Sequence, residues 1–295
     1  MMAIRRSQRQ NVHIYNVSEP DRPLGGLRLN PSVTARNFLF MLDVFIVADC
    51  QYSTILRSTG VTLTATDEPL RPGSYDLKPD SPGGVISLSD EPCILRVLSR
   101  TESGREDRFR QLVRERDGKC VITGLVNVDA DIGDWTIFEA AHIFPLSHGE
   151  YFCNQGFPRW ITNRRGERDT GINSCQNGLL MQSNVHQLFD SFKFSMNPDD
   201  NYKITSFDSD LLGLDGRTLD PICRGPNDER RVSDELLRWH FRQAVLANMR
   251  GAGEPVFEFD FPPGTDMVGE IRSGPEAAKR MEAELFSRLD GISLT

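Results

Sequence analysis

The sequence predicts an α+β protein in three successive regions: strand-rich residues 1–100, a central strand-and-helix block over 101–210, and a helical extension over 211–295. Three observations carry this. Short runs near the start alternate apolar and polar residues between glycine and proline turns, the period of half-buried strands. The central block sets a strand-like run ending in His142, within FEAAHIFPLSHGE (138–150), ahead of a turn that opens a helix carrying His186 and Asp190, within QNGLLMQSNVHQLFD (176–190). The last third opens on the amphipathic SDELLRWHFRQAVLANMRG (233–251).

In the first region the expected strands are VHIYNV (12–17), VTLTATD (61–67), SYDLK (74–78) and GGVISLSD (83–90), with one apolar helix from Thr34 to Ala48 packed across them. GREDRFRQLVRERDGKC (104–120) reads as a connecting helix ended by Asp117-Gly118, with Phe109, Leu112 and Val113 on one side. Arg108, Arg110, Arg114 and Arg116 are interleaved with acids there, the pattern of a solvated face. In the last region Ser233 caps the amphipathic helix, Glu235 favours its first turn and Gly251 follows its end. GEPVFEFDFPPGTD (253–266) is expected to be extended, and Pro275 to Asp290 to form a final helix.

The composition bounds the function. At 38% hydrophobic and 26% charged residues over 295 positions, the chain can bury a core. The longest apolar run, Phe38 to Ala48, is broken by Asp43 and too short to span a bilayer. The basic MMAIRRSQRQ leads into no apolar signal core, so an unsecreted protein of the cytosol or nucleus is expected. The six cysteines include no C-x-x-C pair, which disfavours a zinc knuckle and points to reduced, packed thiols. A net charge of −8 argues against a broad non-specific nucleic-acid footprint while leaving room for a local one. Such a patch is offered by Arg159, Trp160, Arg164, Arg165 and Arg168. The arginines could grip a phosphate backbone and the indole stack on a base; the competing reading is a solvated loop anchored by tryptophan.

Four pieces then occur in order: CVITG (120–124), FEAAHIFPLSHGE (138–150), QNGLLMQSNVHQLFD (176–190) and FKFSMNPDDNYKI (192–204). Read physically, the second is a strand ending in His142 followed by a proline-bounded loop. The third is a turn opening a helix on which His186 and Asp190, four apart, share a face and can reach one cation. His148, in a Ser-His-Gly loop, is expected to face solvent.

The A-H-I-x-P, N-G-L-L and H-x-L-F-D blocks resemble the HNH endonucleases, and the flanking VHIYNV, LRPGSYDL and RWHFRQAVLANMRG resemble a group of fungal HNH-domain proteins. The resemblance implies an α+β fold with a central ββα-metal module, an N-terminal strand-rich region and C-terminal helices. It also implies metal-dependent hydrolysis of phosphodiester bonds in DNA, with RNA as the other candidate substrate. On that resemblance His142 is the general base, Asn177 ties the loop and orients the base, and His186 holds Mg²⁺, Mn²⁺ or Zn²⁺, with Asp190 as a further ligand. Histidine suits the role of base because its ordinary pKa near 6.5 leaves a neutral fraction at pH 7.

One departure matters. Many relatives carry an acid or histidine just before the base, and Ala141 stands there. Glu139, two residues back on the same side of the strand, is a candidate substitute. Ala141 and the acidic charge leave two other readings open: a binding or scaffold module that kept the fold, and a metal site turned to small-molecule chemistry.

Overall fold

The computed structural model describes residues 8–94, 104–164, 166, 169–251, 261, 264–274, 277–278, 280–282 and 285. Their contacts divide them into two compact units. The first gathers the described parts of Met1–Ile94, Thr205–Gly216 and Arg242–Phe286; the second gathers those of Leu95–Ile204 and Arg217–Phe241. The helical extension expected over 211–295 is therefore divided between the two. Most of the extended segment expected over 253–266, and most of the final helix, lie outside the described residues.

In the first unit, β1 (Val12–Asn16) runs antiparallel to β2 (Glu19–Leu27). Helix α1 (Ala35–Phe45) follows, opened by a capping box in which the Thr34 and Asn37 side chains and backbone amides bond reciprocally. The helix stops before Ala48 because β-branched Ile46 and Val47 turn extended. Strand β3 (Ile46–Ala48) pairs instead with the later Ile86–Leu88. Then come β4 (Tyr52–Leu56), β5 (Val61–Thr62), β6 (Gly73–Pro79) and β7 (Ile86–Leu88). The five-stranded sheet has the order β2-β1-β6-β4-β5, with β1 and β6 parallel. Its core joins Ile14, Leu27, Tyr75 and Leu77 to Phe38, Met41 and Leu42 of α1, with the Phe38 and Tyr75 rings 5.1 Å apart. Of the expected VTLTATD strand only two exposed residues pair.

The second unit opens on α2 (Gly104–Asp117), followed by β8 (Phe138–His142), the short α3 (Gly149–Asn154), β9 (Gly178–Gln182) and α4 (Ser183–Asp190). β8 and β9 pair antiparallel with His142 opposite Gly178 and Glu139 opposite Met181. Both α2 and α4 pack on this hairpin. Thus β9 stands where the sequence reading had a turn run directly into a helix. Its four consecutive buried residues, Gly178 to Met181, give no alternation to read. A second pair, β10 (Phe194–Asn197) and β11 (Lys203–Ser206), follows. Helix α5 (Asp234–Met249) corresponds to the amphipathic segment, and α6 (Met267–Ser273) is capped by Asp266. Among the described residues no helix is long and apolar enough to cross a membrane.

Candidate functional site

The antiparallel hairpin and the helix after it set out the candidate residues. Strand alternation puts His142 and Ala140 on one face of β8 and Glu139 and Ala141 on the other. On the first face the half-buried His142 ring lies parallel to Phe109 of α2, centroids 3.8 Å apart and planes 9° apart. Gly178, its cross-strand neighbour, permits that approach. A Cβ there would fall 2.5 Å from the Phe109 ring and 2.8 Å from Val113. His142 Nε2 lies 3.2 Å from Asn173 Oδ1. With that oxygen accepting, Nε2 carries the proton and Nδ1 is the basic nitrogen of the neutral ring.

Asn177 is fully buried. Its Oδ1 accepts from Phe144 N at 2.7 Å, while its Nδ2 donates to Phe144 O at 3.1 Å and to Ile172 O at 2.8 Å. One side chain thus fastens the turn after β8 to the 172–177 turn that carries Asn173. Phe144 is gripped in turn by rings: Phe152, Phe157 and Trp239 lie 5.0, 5.6 and 4.4 Å away. His148, expected to face solvent, is fully buried in this region, because the loop folds into a short helix.

On the opposite face, His186 meets two carboxylates. Its Nδ1 lies 2.6 Å from Glu139 Oε2 and its Nε2 3.2 Å from Asp190 Oδ2. The His186 hydrogen bond holds the Glu139 carboxyl below its ordinary range, against the opposing effect of burial. The helix bearing His186 is pinned from behind, where Phe189 lies flat on the buried His240 at 3.7 Å and His240 Nδ1 meets Ser195 Oγ at 2.8 Å.

Among the described residues, no group of three His, Cys, Asp or Glu is arranged to hold a metal ion. His186 Nε2 and Asp190 Oδ2 nevertheless suit two adjacent ligand positions. Were a cation held there, Glu139 would orient the ligating imidazole through its other nitrogen rather than serve as a third ligand.

The expected nucleic-acid patch is only partly described, since Arg165 and Arg168 lie outside the described residues. Arg159 and Arg164 are exposed. Trp160 stacks on Phe157 at 4.2 Å, which serves to anchor the loop, and the Arg159 guanidinium lies 5.7 Å from its ring. Cys153 and Cys175 are both free thiols, the first exposed and the second buried.

The central strands and helix have a known counterpart. Residues 120–197 match the HNH endonuclease family model. That HNH segment runs from Cys120 to the end of β10, so it includes β8, β9 and α4 with all three motif residues. Residues 9–84, which hold all five strands of the larger sheet, match a model described as a domain of unknown function. No curated protein and no solved structure matches the chain.

Two contributors lay beyond sequence reasoning. Asn173 belongs to no motif block and is brought to His142 only by the turn that Asn177 holds. Arg116, expected on a solvated face, is instead buried. Its Nε and Nη2 bond both Asp117 oxygens at 2.7 and 2.9 Å, and its remaining protons reach the carbonyls of Cys175, Gly178 and Arg230. Asp117 Oδ2 also accepts from Leu180 N at 2.9 Å. The pair fixes α2 to β9, and so fixes Phe109 against His142.

Proposed function

We propose that the chain is a metal-dependent HNH-type endonuclease hydrolysing phosphodiester bonds in DNA. The observation that carries the reading is the order of the HNH segment along the fold: His142 ends β8, Asn177 locks the following turn, and His186 and Asp190 follow on one face of α4. In this reading His142 removes the proton of the attacking water at Nδ1, while Asn173 and the Phe109 ring keep its orientation. Asn177 positions the loop of the base. His186 and Asp190 would hold a divalent cation, Mg²⁺, Mn²⁺ or Zn²⁺, with Glu139 setting the imidazole tautomer. When bound, the cation supplies charge stabilisation at the phosphate and leaving oxygen. Ala141 offers no donor, so the chain itself would supply only His186 and Asp190 to the cation, and weak metal affinity is expected. Exposed Arg159 and Arg164, with Trp160 and Arg165, are the proposed contacts to the strand beyond the site.

The test is nicking of supercoiled plasmid with each metal and after chelation. We expect chelation to abolish nicking and His142→Ala to slow it about 10²–10⁴-fold, the usual worth of a positioned base. Parental rates in His142→Ala would remove the base assignment, and chelator-resistant nicking the metal dependence. A second reading, a binding module that kept the fold without catalysis, is favoured by Ala141 and by the engagement of both His186 nitrogens with carboxylates. Calorimetry decides for it if millimolar metal gives no heat and the protein has no DNA affinity at low salt.

A further inference from the structure

A cleft of about 500 Å³ opens between α2 and the segment leading into β8, lined by Asp107, Arg110, Arg114, Glu115, Ala130 and Trp135. Arg114 is its unusual member. Its guanidinium lies 4.8 Å from the centre of the Trp135 ring, and its buried Nε has no hydrogen-bond partner. The neighbouring acids are engaged elsewhere: Glu106 and Asp107 pair with Arg110, Glu115 accepts from Gln111 Nε2 at 2.8 Å, and Asp117 is held by Arg116. Among the described residues no carboxylate pairs with Arg114. Burial, and then the like charge of Arg110, hold its guanidinium below the usual arginine range. A partly buried cation without an anion is an incomplete electrostatic arrangement. A guanidinium placed over an indole keeps its planar fork available to an oxyanion.

Helix geometry ties this cleft to the candidate site. Arg110 and Arg114, four apart, share one stripe of α2. Phe109 and Val113 form the adjacent stripe, which meets His142 and Gly178. A strand whose phosphate lies at His142 therefore has the Arg114 stripe beside its path.

We propose that the Arg114–Trp135 cleft binds a phosphate group of the nucleic-acid strand, flanking the one presented to His142. The proposal rests on the nuclease reading and adds a contact that the HNH blocks do not contain. A phosphate placed there gains a bidentate, charge-assisted contact from the Arg114 fork. Because the contact is to backbone, it adds affinity without sequence preference.

The experiment measures binding of a labelled DNA duplex to the full-length chain by anisotropy in chelator, at several salt concentrations, so that no cleavage intervenes. Inorganic phosphate and a nucleoside monophosphate serve as competitors. Arg114→Gln is expected to weaken duplex binding fivefold or more, roughly, and to lower the salt slope by about 1, the signature of one lost phosphate contact. Arg114→Lys should restore the slope while recovering only part of the affinity, since lysine keeps charge but not the planar fork. Trp135→Leu should weaken binding with the slope kept. Thermal unfolding checks that each variant is folded. Unchanged affinity and slope in a folded Arg114→Gln protein would overturn the proposal, while chelator-sensitive nicking would leave the nuclease reading standing. Arg114-dependent binding of the monophosphate or inorganic phosphate, without duplex binding, would overturn the nucleic-acid source in favour of a free phosphate ligand.

Discussion

At the scale of single residues, Asn177 has the clearest energetic consequence. Its three side-chain bonds all go to backbone groups in a buried setting. An unsatisfied buried polar group costs about 1–3 kcal/mol. Asn177→Ala, which strands Phe144 N, Phe144 O and Ile172 O together, should therefore lose about 3 kcal/mol or more in urea unfolding. A loss under about 1 kcal/mol would show that the turn relaxes without it. Asn177→Asp keeps the acceptor for Phe144 N but points a carboxylate at two carbonyls, so it should not rescue. The Asn-Gly pair was legible in the sequence as a turn, yet the glycine serves another end. Gly178 has extended backbone, φ −141°, and its missing Cβ is what lets Phe109 reach the hairpin. Gly178→Ala should cost about 1–3 kcal/mol through overpacking.

At the scale of elements, the α2–β9 clamp decides how firmly the candidate base is held. The Arg116 and Asp117 side chains are 1% and 0% exposed, and removing one partner of such a pair costs about 3–5 kcal/mol because the other charge is left buried. Arg116→Ala should accordingly destabilise the protein by about that much, whereas the exposed pair of Arg238 with Asp199 should be worth under about 1 kcal/mol. Urea midpoints of Arg116→Ala and Arg238→Ala compare the two directly; similar losses would contradict the clamp. Neither partner's role could be read from the chain, because an arginine among acids looks solvated until the facing strand is known. The same limit explains β9, whose residues are covered on both sides and lose their period. It also explains β2, where EPDRPLGGL carries two prolines and four exposed residues yet pairs along β1. What was legible had a local cause: the alternation of VHIYNV and the i, i+4 spacing of His186 and Asp190.

At the scale of the whole molecule, charge limits how a nuclease of this kind can engage its substrate. With 34 basic against 42 acidic residues, long-range attraction to DNA is absent, so affinity must come from a few local cations. Arg114 in the cleft and the exposed Arg159 and Arg164 are such groups. Each phosphate neutralised contributes about −0.9 to the slope of log K against log salt, so two to four contacts give a slope of about −1.8 to −3.6. Raising salt from about 50 to 200 mM should then weaken duplex binding roughly 12- to 150-fold, well short of the loss seen for proteins with broad basic faces. A slope steeper than about −6 would require an extended footprint that a chain of net charge −8 offers only through concentrated arginine, and would move the contact surface well beyond these residues. A slope near zero would remove phosphate recognition altogether and, with it, the reason for placing a nucleic-acid strand along α2.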